Sequence, residues 1–265
     1  VVTPSFENGG NTNSGPAETF VITVNPTAQV DPINDIVVCN EEILDTTVFT
    51  TQNTGGVTTY SWTNDNTLIG LGSSGAGSIA SFTAINTSLT SQSAIINVTP
   101  TFENAGVSNE GSSETFTITV NPTAQVEPIS NQVLCNQEFT EEIIFSTENT
   151  DGITSYSWTN DNVAIGLAST GDGNISSFVT ADVVASSISS TITVTPTYSN
   201  NGISCTGPSE AFTITVNPTA QLESTPNQVL CHQESTEEII FSSENTGGTT
   251  SYSWINDNVA IGLAS

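Results

Sequence analysis

Few residues in this chain have side chains suited to catalysis or metal binding. Cysteine stands at positions 39, 135, 205 and 231, and the only histidine is His232. A thiol or hydroxyl activated by an imidazole would make a nucleophile, and cysteines with histidines would hold zinc. There is no CxxC pair and no second histidine to complete four zinc ligands. Adjacent carboxylates such as Glu141 and Glu142 are the remaining acid–base candidates. Neighbouring strand residues point to opposite faces, however, so the two carboxylates would not share a substrate.

Charge narrows the field further. The chain has 27 acidic residues, no Lys and no Arg. No fixed cation is therefore available to stabilise a developing oxyanion, and none to displace phosphate counterions from nucleic acid. Attraction to an anionic membrane surface fails for the same reason. No apolar run reaches the roughly 18 residues that a spanning helix needs, so this segment is not expected to insert into a membrane. Only 10% of residues are charged, and Val, Ile, Thr and aromatic residues alternate with polar ones. That pattern indicates a folded chain rather than a disordered one.

The elements that would position these side chains recur. "VNPTAQ" begins at Val24, Val120 and Val216; Cys39, Cys135 and Cys231 keep the same 96-residue spacing, as do Trp62, Trp158 and Trp254. Residues 1–25 align without gaps to 97–121 and 193–217. The expected organisation is the last two strands of one repeat (1–25), two complete repeats (26–121 and 122–217), and the first half of another (218–265), as a window on a longer tandem array. His232 falls where the other repeats carry Asn40 and Asn136, so it is not the base of a repeated enzyme. The expectation is a protein without catalytic residues.

A period of 96 exceeds the roughly 20–50 residues of solenoid repeats and suits a domain with its own core. "AFTITVNP", "STITVTPTY" and "SYSW" alternate with period two, and "EEIIF" and "SSFVTADV" supply two further strands. The pattern predicts an all-β fold: antiparallel β-sandwiches of 96 residues, arranged end to end. Asn201-Gly202 and Asn8-Gly9 are read as tight hairpin turns. Asn104-Ala105-Gly106 is read as a looser relative of them.

The set "VNPTAQV", "QVLCNQE", "SYSWTNDN", "IGLASTG" and "ITVTPTYSNNG" resembles the PKD-like, immunoglobulin-like repeats of giant cell-surface proteins in gliding Bacteroidetes. The resemblance implies a β-sandwich, export by the type IX secretion route to the bacterial cell surface, and a role as adhesin or stalk. The loop after the Trp-containing strand, "WTNDN", departs from the family pattern, so loop chemistry does not carry over. A second cysteine near the last hairpin is usual in such repeats, and only Cys205 provides one.

Individual residues then have two readings each. Trp62, Trp158 and Trp254 are expected in the core between the sheets rather than on an exposed sugar-stacking platform. Cys135 and Cys205 could meet across one sandwich as a disulfide. Cys39 finds Asn109 at the position equivalent to Cys205, leaving it an expected free thiol. Calcium is the rival reading for the carboxylates: Glu127, Glu148, Asp151 and Asp172 stand near a predicted domain end and are suitable hard ligands. One repeat earlier the last three become Gln52, Gly55 and Ala76, so solvation is the expectation and no cofactor is required. "DTT" at Asp45-Thr46-Thr47 is similar to the Bacteroidetes O-glycosylation signal, with Thr46 as acceptor. Asn86, Asn97 and Asn174 lie in N-x-[ST] sequences, which mean little in a bacterial protein.

The expected function is a stalk or fibre segment of a large secreted surface adhesin. Its partners would be neighbouring repeats of the same chain and lateral copies in a fibre. The alternative is a module whose loops bind polysaccharide or another surface.

Overall fold

In the computed structural model, residues 1–263 are described. Two compact units emerge: Val1–Ile85 with Gln92–Val120, and Asn86–Ser91 with Asn121–Ser265; the last two residues, part of the expected 218–265 segment, lie outside the described ones. The first unit contains β1 (Ser5–Asn8), β2 (Asn11–Ser14), β3 (Ile36–Cys39), β4 (Ile43–Leu44), β5 (Val57–Asn64), β6 (Ser74–Ala76), β7 (Phe82–Thr83), β8 (Gln92–Asn104), β9 (Val107–Glu110) and β10 (Glu114–Asn121). The second contains β11 (Gln132–Cys135), β12 (Ile153–Asn160), β13 (Thr170–Asp172), β14 (Ile188–Asn200), β15 (Ile203–Thr206) and β16 (Glu210–Asn217). The protein is all-β, with only single-turn 3-10 helices among the described residues.

Each unit has one six-stranded sheet, ordered β3-β10-β8-β5-β6 in the first and β11-β16-β14-β12-β13 in the second, with β9 and β15 pairing the far ends of β8 and β14. The second sheet is mixed, not antiparallel as expected, because β11 runs parallel to β16. The segment before β11 explains this. Glu127 N donates to Ser146 O at 2.9 Å in the opposing layer. The chain then changes layers before Gln132 settles beside Ile214, and so arrives running the same way as the last strand.

The opposing layer is slighter. In the first unit it holds the β4–β7 pair and a bridge between Thr47 and Ile79; in the second, bridges join Ile143 to Ile175 and Phe139 to Val179. "EEIIF" and "SSFVTADV" thus supply bridges rather than regular strands. Between the layers lie two apolar clusters, one around Trp62, Ile96 and Ile118, the other around Trp158, Ile192 and Ile214. This arrangement is consistent with β-sandwiches, whose alternating strand residues meet in a core about 10 Å thick.

Proline in the middle of β8 and β14 would ordinarily break a sheet. Here Pro100 falls between Val98, the last residue of β8 to pair with β10, and Thr101, the first to pair with β9. Pro196 stands at the same gap between Val194 and Thr197. No ladder bond is lost at either place.

The hairpins correct two expectations. In β1–β2 the positive-φ residues are Gly9 and Gly10, at 57° and 80°, not Asn8 and Gly9. In β8–β9 the turn is not looser: Ala105 and Gly106 take φ of 52° and 80°, matching Asn201 and Gly202 at 50° and 79°. The pairing of Asn104 with Val107, like that of Asn200 with Ile203, forces a two-residue turn, and alanine accepts the left-handed conformation to make it.

Candidate functional site

The repeated motif that departs from the family pattern turns out to be a closed loop. The Asn64 and Asn160 carboxamides donate to the Leu71 and Leu167 carbonyls at 3.0 Å. Their Oδ1 atoms accept from the Asn66 and Asn162 amides at 3.0 and 3.1 Å. Asn66 and Asn162 then cap the 3-10 turns Thr67–Ile69 and Val163–Ile165 by accepting from the Leu68 and Ala164 amides at 3.1 Å. Asn256 and Asn258 repeat the arrangement, with Asn256 Nδ2 to Leu263 O at 2.7 Å. Its asparagines are spent on the backbone, which leaves little of "WTNDN" for a ligand. Sequence reasoning missed this role, although Asn immediately before a helical turn is its signal.

A second recurrent cluster ties the strands to their approaching segments. Asn53, Asn149 and Asn245 accept from the amides of Gln29, Gln125 and Gln221 at 2.7, 2.8 and 2.7 Å. They also donate to the Thr27, Thr123 and Thr219 carbonyls at 3.0, 3.3 and 3.1 Å. Within the second unit, Thr150 N donates to Leu89 O at 3.1 Å, and 96 residues later Thr246 N donates to Ala185 O at 2.8 Å. Ser91 Oγ donates to Asn121 Oδ1 at 2.9 Å, as Ser187 Oγ does to Asn217 Oδ1 at 2.7 Å. Ser91 Oγ also accepts from Asn200 Nδ2 at 2.8 Å, and the buried Tyr198 hydroxyl donates to Thr150 O at 2.9 Å. These contacts hold segments in place, and no Cys, His, Asp or Glu side chain enters them.

The cysteines differ from expectation. Cys135 and Cys231 are exposed free thiols, whereas Cys39 and Cys205 are each in disulfide linkage. The expected Cys135–Cys205 bridge is therefore absent, and Cys39 is not free. The sheet register gives the reason. Cys135 pairs with Asn217, next to Val216, which is level with Ile188 at the start of β14; Cys205 pairs with Tyr198, ten residues further along β14. At about 3.3 Å per residue that is roughly 33 Å, whereas a disulfide needs Cα atoms within about 7 Å.

Trp62 and Trp158 are buried, and their indole nitrogens have no hydrogen-bond partner. They serve as packing surface. Trp254, expected in a core, is 49% exposed; among the described residues no strands pair with its segment as β13 and β14 pair with that of Trp158. The calcium candidates do not come together: among the described residues no group of three or more His, Cys, Asp or Glu could hold a metal ion. Asp151 instead takes a left-handed turn at φ 67°, where Gly55 and Gly247 stand in the other repeats. Glu148 and Asp172 are exposed, and Glu127 is half-buried.

Thr46 is exposed and outside the strands. Asn86 is buried, with its Nδ2 donating to Thr90 O at 2.8 Å. Burial, and next the Asp31 carboxylate, push the Tyr60 phenol up; burial does the same to Tyr156, against the opposing hydrogen bond from Thr147. Both stay protonated at neutral pH and are poor bases. A surface hollow lined by Asp151, Gly152, Asn201 and Gly202 among others is open, and no Lys or Arg lines it.

Neither known protein families nor curated proteins match the chain. Among solved structures, it is similar to a SusE-like surface-located polysaccharide-binding protein from the heparin utilisation locus of Bacteroides thetaiotaomicron. Identity there is 13% and TM-score 0.28, over 75% of this chain and 36% of that one. It is also similar to the human desmocollin-1 ectodomain, at 13% identity and TM-score 0.23, over 77% of this chain and 43% of that one. The chain thus spans less than half the length of either protein, and a likeness this distant carries no argument about what it binds.

Proposed function

We propose that the chain is a non-enzymatic stalk or fibre segment of a large secreted bacterial surface adhesin, built from β-sandwich repeats 26–121 and 122–217 set end to end. Residues 1–25 and 218–265 are parts of further repeats, and the segment acts outside the cell. One observation carries this reading. The bond from Thr150 N to Leu89 O recurs as that from Thr246 N to Ala185 O, and the Asn149 clasp recurs at Asn245. Equivalent hydrogen bonds set 96 residues apart are what a run of like repeats in one long chain would carry. Pro26, Pro122 and Pro218 add stiffness by fixing φ near −65°, with no Gly/Ser spacer to act as a hinge.

Small-angle X-ray scattering on the chain, alongside a glycan array, tests this. An elongated, rod-like profile with no glycan retained is the expected result. A compact globular profile, or saturable binding of a polysaccharide through the loops, would replace the stalk reading.

A further inference from the structure

Asn201 and Gly202 form the turn of the β14–β15 hairpin, with φ of 50° and 79°. The equivalent turn of the first unit has nearly the same angles, 52° and 80°, but reads Ala105-Gly106. The two turns share a backbone and differ in one side chain. That side chain is a carboxamide immediately before a glycine, the arrangement in which an asparagine can react with its own main chain.

Both reacting groups are unengaged. Asn200 next door is held, its Nδ2 donating to Ser91 Oγ at 2.8 Å. Among the described residues, neither the Asn201 carboxamide nor the Gly202 amide has a hydrogen-bond partner, because the last rung of the hairpin falls to Asn200 and Ile203 on either side. Both turn residues are exposed, and nothing stands within 4 Å of a would-be Cβ on Gly202. No neighbour therefore shields the nitrogen, and glycine lets the backbone leave and regain the turn at little steric cost. Water reaches both groups through the open hollow that they line together with Asp151.

We propose that Asn201-Gly202 is a self-modifying site whose only co-reactant is water, and that the second unit ages through it while the first does not. The Gly202 nitrogen attacks Asn201 Cγ. A new C–N bond forms, and the bond from Cγ to the carboxamide nitrogen breaks. The proton lost from Gly202 leaves with that nitrogen as ammonia, and a five-membered imide remains. Water then opens the imide at either carbonyl. One opening leaves an aspartate at position 201; the other leaves an isoaspartate, with the main chain routed through the former side chain.

Either product adds a carboxylate to the hollow that Asp151 already lines, where like charges repel. The isoaspartate also inserts an extra backbone atom into a turn whose register, Asn200 with Ile203, was set for two ordinary residues. The arm that carries Tyr198, paired with Cys205 and bonded to Thr150 O, is loosened in consequence. The chain's other Asn-Gly pair, Asn8-Gly9, has its glycine rather than its asparagine in the first place of the turn, and its peptide is followed separately.

The test is to hold the folded chain in warm, mildly alkaline buffer and map its chymotryptic peptides with time, since no Lys or Arg is present for trypsin. Mass and retention resolve the amide, aspartate and isoaspartate forms. The Asn201 amide should be lost and isoaspartate should accumulate, while Asn104, which precedes Ala105, stays unchanged. Ala105→Asn sets an asparagine before Gly106 and should bring the reaction to the first hairpin. Asn201→Ala copies the first unit's turn and should abolish the reaction at the second; its melting temperature should drift less with age than that of the wild type. An Asn201 that keeps its amide in the folded chain overturns the proposal, and conversion confined to a urea-unfolded chain would show the turn to be a shield. Equal conversion at Asn104 and Asn201 overturns it too, as does an equal drift in Asn201→Ala and wild type.

Discussion

The indole of Trp158 lies directly on Gly171, so closely that a Cβ at 171 would overlap the ring, and Trp62 lies on Gly75 in the same way. The strand pair that sets Trp158 opposite Gly171 and Trp62 opposite Gly75 thus seats each core tryptophan on bare backbone. Gly171→Ala should destabilise the second unit by about 1–3 kcal/mol, the usual cost of forcing volume into a packed core. Chemical denaturation followed by tryptophan fluorescence measures it. Gly72, with nothing within 4 Å of its would-be Cβ, is the control position, and equal effects at 72 and 171 would refute the overlap.

Ala105 holds φ of 52° at an exposed turn where the equivalent residue is Asn201. A left-handed alanine costs on the order of 1 kcal/mol relative to residues that accept that region. Ala105→Asn should therefore raise stability by about that amount, and thermal melts of the two proteins would reveal it. A neutral or destabilising result would mean that the turn is not of the two-residue type.

The thiols should divide into two classes. Alkylation of the native, unreduced chain should modify Cys135 and Cys231, while Cys39 and Cys205 react only after reduction and unfolding. Peptide mass analysis reads the pattern directly. A Cys135 that resists alkylation until reduced would restore the bridge first expected from the sequence.

Asp161 accepts from Thr191 N at 2.7 Å and from Ser190 Oγ at 2.9 Å. Those bonds, the backbone one foremost, hold its carboxyl below the ordinary 3.8. Because the folded value is the lower one, this contribution is complete above the unfolded value and fades as pH falls through the folded one. Asp161→Asn should therefore lower the denaturation midpoint near neutral pH, and the difference should shrink well below about pH 4. A difference that stays constant across that range would show that the charge is not what matters.

With 27 carboxylates and no Lys or Arg, compaction gathers like charges with little to offset them. Added salt should stabilise the fold. Going from about 10 mM to 150 mM NaCl shortens the screening length from roughly 30 Å to 8 Å and should raise the melting temperature. A fold held by ion pairs would show the opposite trend, and a fall in melting temperature would contradict this account.

Period-two alternation marked the main strands and the seats of Trp62 and Trp158, because burial on one sheet face leaves that signature in the order of residues. Other features depend on distances that spacing does not encode. Cys135 and Cys205 lie in one repeat, yet the level each reaches along β14 follows from register alone. In "ENGGN" three adjacent residues suit a positive φ, and the strand pairing selects Gly9 and Gly10. The direction of β11 depends on a layer change in residues 127–132, where no periodic pattern exists to read. The exposure of Trp254 depends on strands that its own sequence, nearly identical to that around Trp158, says nothing about.

The parallel pairing of β11 with β16 has a mechanical meaning. β11 lies near the beginning of the 122–217 segment and β16 at its end. Tension applied at the two ends therefore drags Gln132–Cys135 and Ile214–Asn217 past each other along their length. The hydrogen bonds between them are loaded in shear and must rupture together, whereas those of an antiparallel hairpin peel apart one rung at a time. A segment pulled in this way would hold as a latch, and its strength would depend on the direction of pull.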